Sequence, residues 1–465
     1  MNGFTREVLA RLPLADVVLM VLSHVLEPAF LQSLFAENRG RSYEKTLTFS
    51  GLVQLMADAL LEHAGSGRKS FRAARERAAM PVSDPAAYGK LRRIPVPLSV
   101  AFLSRTTERV RALFPSATAL PLPASLQSFN VFAHDGKKIK RVAKRLKPVR
   151  GVQGTPLGGK VLVALWLNQG IAVAMSAHPD GETNDCPLVP ELLPQVRALF
   201  PDRPRLHVAD RQFCDLIQPK RFAAEGDFYL VRYHPKVHFY KDESHAVRSG
   251  ADAEGRAYEE EWGWLGSPRK PAERLYVRRI RLLRSDDEAV ILVTNLLDAD
   301  ACPAGDLLAV YRMRWGIERM FHQITDVLHL SRLIGSSPQA SIFQCAFCLL
   351  LYNVIQLVRA HVASDTGRRR ETISTENLFD DVRRELIALR VLGDASMIES
   401  AFARPHSRKY VQHRLHQHLG NLWHDRWLKA PTTRRRKKPD PIPIADGHTS
   451  VFRILQEAKN QSRKQ

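Results

Sequence analysis

Acidic residues are in short supply: 48 Asp and Glu stand against 69 Lys and Arg, which leaves a formal charge of +21 and a pI near 10.0. A deficit of this size points to a polyanionic partner, nucleic acid first. A basic protein without such a partner is the plainer alternative. Cysteine is scarcer still. The five (Cys186, Cys214, Cys302, Cys345 and Cys348) are too few and too scattered for a disulfide framework. The "CAFC" pair has metal-ligand spacing, but no second pair exists and its surroundings are apolar, so buried thiols in a core helix are expected rather than zinc. Long unbroken hydrophobic runs are missing too. "SIFQCAFCLLLYNVIQLV" is interrupted by Gln344, Asn353 and Gln356 and makes a poor membrane span. "VVLMVLSHVL" is short, flanked by Asp16 and Glu27, and unlike a signal peptide. These absences lead to the expectation of a reducing, cytoplasmic setting with no membrane partner. No internal repeat is found.

What is present is ordinary globular sequence, 45% hydrophobic and 25% charged, with 465 residues to build a large core. Residues 1–125 read as helices with short breaks, among them "EKTLTFSGLVQLMADALLEHA". "SDPAAYGKLRRI" and "VPLSVAFLSRTTERVRALF" are two helices across a proline-bearing turn, compatible with a helix-turn-helix or with a plain bundle. Near residue 126 the texture changes. "LQSFNVFAHDG" reads as a strand ending in Asp-Gly, and "GKVLVALWLNQGIAVAMSA" as a hairpin turning at Asn168-Gln169-Gly170. "DCPLVPELLPQVRALF" is helix-like, and "RLHVADRQF" is a short strand ending at Asp210. A second β-rich block occupies 225–300, helices resume from Cys302 to about residue 425, and the Pro-rich, basic "APTTRRRKKPDPIPIADG" is expected to be flexible.

Chemistry is suggested by three acids. At about 100° per residue, Tyr311, Arg314, Glu318 and His322 fall within roughly an 80° arc of one helix. Val310, Met313, Ile317, Phe321, Ile324 and Leu328 fall on the other side. Alone, that polar face reads as a solvated surface. Asp135 and Asp210, each at the end of an apolar strand, change the reading: side by side in one sheet, with the helix packed over them, they would meet Glu318. Three carboxylates in one place repel each other unless a cation joins them. Hard oxygen ligands suit Mg²⁺, and two ions can activate a water and stabilise the leaving oxygen in phosphoryl transfer.

The order of elements and the three acids resemble the DDE transposases with a ribonuclease H-like catalytic core. The helix resembles the signature Y-x2-R-x3-E-x6-K of a cut-and-paste group of insertion-sequence transposases, with Tyr311, Arg314 and Glu318 in register. "HDGKK" looks like the first-Asp motif, "VADRQF" like the second, and the β-rich block sits where that group inserts β structure. The resemblance covers roughly residues 125–360. It implies an α/β fold: a ribonuclease H-like mixed sheet with a β-rich insertion, flanked by helical N-terminal and C-terminal regions. The implied division is 1–125, helical and expected to bind DNA ends; 126–224 and 301–360, the two parts of the catalytic core; 225–300, the insertion; 361–430, a C-terminal helical region; and 431–465, a basic flexible tail.

It also implies roles. Asp135, Asp210 and Glu318 would be the catalytic, metal-binding set for Mg²⁺, two ions per site, with Mn²⁺ as substitute. Arg314 would hold a phosphate, and Tyr311 would position DNA or the glutamate. The partners would be double-stranded DNA (transposon ends and target) and a second copy of the chain in a homodimer, in the bacterial cytoplasm with the nucleoid. The signature lysine is replaced by Thr325, which puts one backbone contact in doubt. Trp262 and Trp264 are candidates for stacking on a flipped base, although aromatics in β structure are usually core. Directly after Asp135, "KKIKRVAKRLKPVR" carries eight basic residues and no acid, and Lys137, Lys138, Lys140 and Arg141 are expected to bind DNA phosphates. A second basic zone runs from "ARPHSRKYVQHRLHQHLGNLWHDRW" to Arg434–Lys438. Two competing readings remain: a catalytically silent transposase-derived DNA-binding protein, and a metal-dependent structure-specific nuclease.

Overall fold

The structure, a computed structural model, describes residues 3–77, 80–115, 119–140, 142–283, 290–392, 406–430 and 449–462. Seven helices come first: α1 (Gly3–Arg11), α2 (Pro13–Val25), α3 (Pro28–Asn38), α4 (Phe49–Leu61), α5 (Gly67–Glu76), α6 (Asp84–Arg92) and α7 (Val96–Arg111). Then β1 (Asn130–Lys138), β2 (Lys160–Trp166), β3 (Ile171–His178), α8 (Val189–Leu199), β4 (Arg205–Ala209), α9 (Gln218–Ala223) and β5 (Phe228–Arg232) form the first half of a mixed sheet. The second half is β6 (Phe239–Lys241), β7 (Arg248–Ala251), β8 (Ala257–Leu265), β9 (Leu275–Leu282) and β10 (Val290–Thr294). Helices close the chain: α10 (Ala304–Met313), α11 (Trp315–Asp326), α12 (Pro338–Asp365), α13 (Thr375–Leu392), α14 (Arg408–Leu419) and α15 (Val451–Ser462).

The strand order is β3-β2-β1-β4-β5-β10-β9-β8-β6, with β7 on β8. β1, β4 and β5 are parallel, and the remaining pairs are antiparallel. This is the expected α/β architecture: one large mixed sheet between helical N-terminal and C-terminal regions. The strands of the 225–300 block do not stand apart: β10 pairs with β5, so the sheet runs unbroken from its first half into its second.

Alternation along the strands sorts their side chains into two cores. Val131 and Ala133 of β1, with Leu206 and Val208 of β4, join one core with Ile317, Met320 and much of α12. Phe132 and Ala209 face the other way, toward Leu192 and Val196 of α8 and Phe222 of α9. The first core also takes in the N-terminal helices, for example Val18, Phe49 and Phe102, whose ring stacks on Phe347 of α12. The helical N-terminal region therefore packs onto α12 rather than standing free, and the helix-turn-helix candidate, α6 and α7, supplies Leu91, Phe102 and Leu103 to that shared core.

Helix α12 is long and apolar enough to cross a membrane, but its apolar stretch is wholly buried inside the protein. Cys345 and Cys348 lie within it as free, buried thiols. The run 434–438 lies outside the described residues. Its downstream neighbour is structured, contrary to the expectation of a flexible tail. Leu157 N–H donates to Thr449 O at 3.0 Å, Val451 N–H donates to Leu157 O at 3.0 Å, and Arg453 pairs with Asp180 at 2.7 Å. Val451 and Ser450 are buried, which fixes the start of α15.

The N- and C-terminal helical regions are tied by a carboxylate. Glu385 on α13 accepts from the N–H groups of Leu14 (2.7 Å) and Ala15 (3.0 Å), the free donors at the start of α2. Burial raises the Glu385 carboxyl to about 7, against the pull of those two donors. A folded-state value above the unfolded one means that its stabilising contribution is complete at low pH and is lost as pH rises through about 7. Glu385→Gln, which stays neutral, is expected to melt higher than wild type at about pH 8, with the gap opening between about pH 4 and about pH 7. Thermal melts across that range check this, and a gap independent of pH would contradict it.

Candidate active site

Asp135 and Asp210 are brought together by register. The last pair between β1 and β4 is Ala133 with Val208, so each aspartate lies two residues further along its own strand direction. Two residues in a strand restore the same face. Both acids therefore lie at one level, on the face that α11 covers. β1 does not end at Asp135, as the Asp-Gly motif suggested. Its antiparallel pairing with β2 continues through Asp135–Val163 to Lys138–Lys160. The parallel partner stops first, and Asp135 stands where β1 has lost it.

Each aspartate spends one oxygen locally. Asp135 Oδ1 accepts from Gly136 N–H at 2.8 Å, and Asp210 Oδ1 accepts from Gln212 N–H at 3.0 Å, capping a short 3₁₀ turn. Burial raises the Asp135 carboxyl to about 6, with Asp210 and Asp185 adding to the rise and Arg314 opposing it. Asp210 is raised as well, first by burial and then by Asp185 and Glu318, again against Arg314.

Glu318 reaches this group from α11. The expected single helix is broken at Arg314, where i→i+3 bonds (Arg314 N–H to Tyr311 O, 3.2 Å; Ile317 N–H to Arg314 O, 3.0 Å) replace the α ladder two residues before Gly316. Nor is the four-residue polar face uniformly wet. Tyr311 and Arg314 are buried, Glu318 is partly exposed and His322 is exposed. The Arg314 guanidinium pairs with Glu318 Oε1 at 3.1 Å and lies over the rings of Tyr311 (5.6 Å) and Trp315 (5.7 Å). Trp315 is 57% exposed and was not singled out from sequence. Thr325, at the signature lysine position, turns its hydroxyl back to Phe321 O at 2.6 Å.

Among the described residues, no three His, Cys, Asp or Glu side chains are close enough together to hold a metal ion as they stand. Glu318 is held by Arg314 instead. The donor chemistry nevertheless fits a hard divalent cation. All three donors are carboxylate oxygens, and Asp135 and Asp210 are half-buried acids whose charged forms are disfavoured in a way that a cation would relieve.

The basic run divides. Lys138 and Lys140 are exposed. Lys137 is not a free surface lysine: it lies on the Asp135 face with its ammonium over the Phe321 ring at 5.4 Å, and burial lowers its pKa. Arg141 lies outside the described residues. In the second basic zone, Arg414 and Arg426 are paired with Asp16 (2.8 Å) and Asp381 (2.7 Å). Trp262 is core, its indole N–H donating to Leu297 O at 2.9 Å, while Trp264 is partly exposed and packs edge-on to Tyr276.

A fourth acid went unnoticed in the sequence. Asp185 and Lys160 form a buried pair with 2.5 Å between Oδ1 and Nζ. The Gln212 side chain also donates to Asp185. A Cβ placed on Gly136 would meet Asp185 Oδ1 at 1.8 Å, so only glycine leaves room for that carboxylate against β1.

With this geometry in view, residues 128–354 match the transposase DDE domain family. This segment is a transposase DDE domain. It spans β1 to the middle of α12 and contains all three acids. Domains of this family belong to nucleotidyl-transfer enzymes that typically use a divalent metal. No curated protein matches the chain. Among solved structures, the chain is similar to the piggyBac transposase in a synaptic complex with hairpin DNA, at 11% identity and a TM-score of 0.42, over 89% of this chain and 88% of that one.

Proposed function

We propose that the protein is a metal-dependent transposase that nicks DNA at the ends of its own element and joins the freed 3′-hydroxyl to target DNA. The observation that carries this reading is the placement of Asp135 and Asp210 at one level of adjacent parallel strands, beneath the helix that bears Glu318. Asp135, Asp210 and Glu318 hold the divalent ions, Mg²⁺ with Mn²⁺ as substitute. A bound metal pair supplies an activated water or 3′-hydroxyl and stabilises the leaving oxygen. Arg314 trades its ion pair with Glu318 for a phosphate, which its planar fork of donors suits. Tyr311 packs under that guanidinium and orients it. Lys138 and Lys140, exposed just beyond Asp135, contact the DNA backbone, and Lys137 supports α11 through Phe321. The surplus of +21 suits long contact with duplex DNA. The N-terminal helices bind the transposon ends, and two copies act as a homodimer bridging paired ends in the bacterial cytoplasm.

The test is incubation of the protein with a labelled duplex carrying the element's own end, a supercoiled target and Mg²⁺ or Mn²⁺. Nicked ends followed by end–target joints are the expected products. Nicks without joints would make the protein a structure-specific nuclease. Tight binding without nicks in either metal would make it a DNA-binding protein.

A further inference from the structure

The buried pair Asp185–Lys160 lies at the first residue of β2, and two buried charges are costly to keep. Its position accounts for it. Gly136 alternates with Asp135, so the side of β1 that Gly136 leaves bare is the face opposite the aspartate. Asp185 fills that gap, arriving from the turn before α8. Lys160 holds it from β2, opposite Lys138. The remaining Asp185 oxygen accepts from the side chain of Gln212, two residues beyond Asp210. One carboxylate therefore touches the residue after Asp135 and, through Gln212, the turn that Asp210 caps. Beyond Ala133 and Val208, β1 and β4 no longer pair, so their own ladder does not fix the distance between the two aspartates.

We propose that Asp185, neutralised by Lys160, is the positioning residue that sets the separation of Asp135 and Asp210 for divalent metal. Lys160 keeps Asp185 out of the coordination shell while the pair holds both aspartate-bearing segments from the opposite face of the sheet. This rests on the proposed metal-binding role of Asp135, Asp210 and Glu318, and the test separates the two ideas.

The experiment is Mn²⁺ binding to the full chain without DNA, by calorimetry and by the electron paramagnetic resonance of bound Mn²⁺, for wild type, Asp135→Asn, Asp185→Asn and Gln212→Ala. The metal dependence of nicking is measured alongside. Outer-shell partners of metal ligands typically shift affinity by about 10- to 100-fold. Asp185→Asn is expected to raise the Mn²⁺ dissociation constant by that factor, with a broadened resonance and the half-saturating metal for nicking moved in parallel. Gln212 is exposed, so its truncation leaves the core intact, and a shift of about 2- to 5-fold in the same direction is expected from the loss of one hydrogen bond. That variant decides if Asp185→Asn does not fold. Wild-type affinity and an unchanged resonance in Asp185→Asn, or in Gln212→Ala where only that variant folds, would overturn the positioning role. Complete loss of metal from Asp185→Asn, matching Asp135→Asn, would overturn it in favour of direct ligation. Wild-type metal binding by Asp135→Asn would instead sink the three-carboxylate reading, whatever the Asp185 variants do.

Discussion

Replacing Glu318 with alanine is expected to lower metal-dependent nicking by at least about a hundredfold, the scale seen when one preorganised electrostatic contact is removed from a reaction centre. Its stability should scarcely change. The Glu318 side chain is 37% exposed, and the buried Arg314 guanidinium one turn away is not stranded by its loss, because Asp135 and Asp210 remain as counter-charges. Removing Glu318 also removes a charge that disfavours ionised Asp210. The variant is therefore expected to melt at or slightly above the wild-type temperature while losing its chemistry, as when an active site is built at the expense of stability. Nicking assays and thermal melts on the same preparation check this. Activity within about threefold of wild type would return Glu318 to the status of an ordinary surface residue.

The second large effect concerns the join between strands β8 and β9 and the start of α10. Arg278 on β9 is fully buried; its Nε donates to Glu260 at 2.7 Å and its Nη1 donates to Cys302 O at 2.7 Å, just ahead of α10. Removing one partner of a buried pair typically costs about 3–5 kcal/mol, because the other charge is left stranded. Arg248 lies 3.7 Å from Glu260 and is half-exposed, so it screens part of the stranded charge and puts Arg278→Met near 3 kcal/mol, the lower end of that range. Adding Glu260→Gln removes the stranded charge and is expected to restore most of the loss. Equilibrium denaturation of the single and double variants measures both terms. A single variant within about 0.5 kcal/mol of wild type would show that the pair is not what holds β8 and β9 to the start of α10.

How much of this was legible beforehand differs from element to element. Asp135 and Asp210 could be read because short apolar strands announce themselves and each run breaks at an acid. Glu318 could be read because its helix carries Tyr311 and Arg314 at fixed spacing. The break at Arg314 was hidden, since helical periodicity survives a single turn of tighter bonding. Lys137 sits in a basic run like its neighbours, and only the strand's alternation, continued past Asp135, turns it toward Phe321. Asp185 and Lys160 were invisible for a different reason. They are 25 residues apart in sequence, as their numbers show, and no local pattern marks a charge that will be buried. Gly136 carried the one available hint, read as a turn glycine rather than as room for a carboxylate. The sheet's continuity from β5 into β10 was equally hidden, because pairing between strands some 60 residues apart is a tertiary choice.

The most direct test of the three-carboxylate centre is the location of Mn²⁺ by anomalous scattering in crystals of the protein with its own end DNA. The expected result is metal density bounded by the carboxylates of Asp135, Asp210 and Glu318, with Arg314 released from Glu318 onto a phosphate. Metal bound elsewhere in crystals of a nicking-competent complex, or held by Asp185 in place of Glu318, would contradict it.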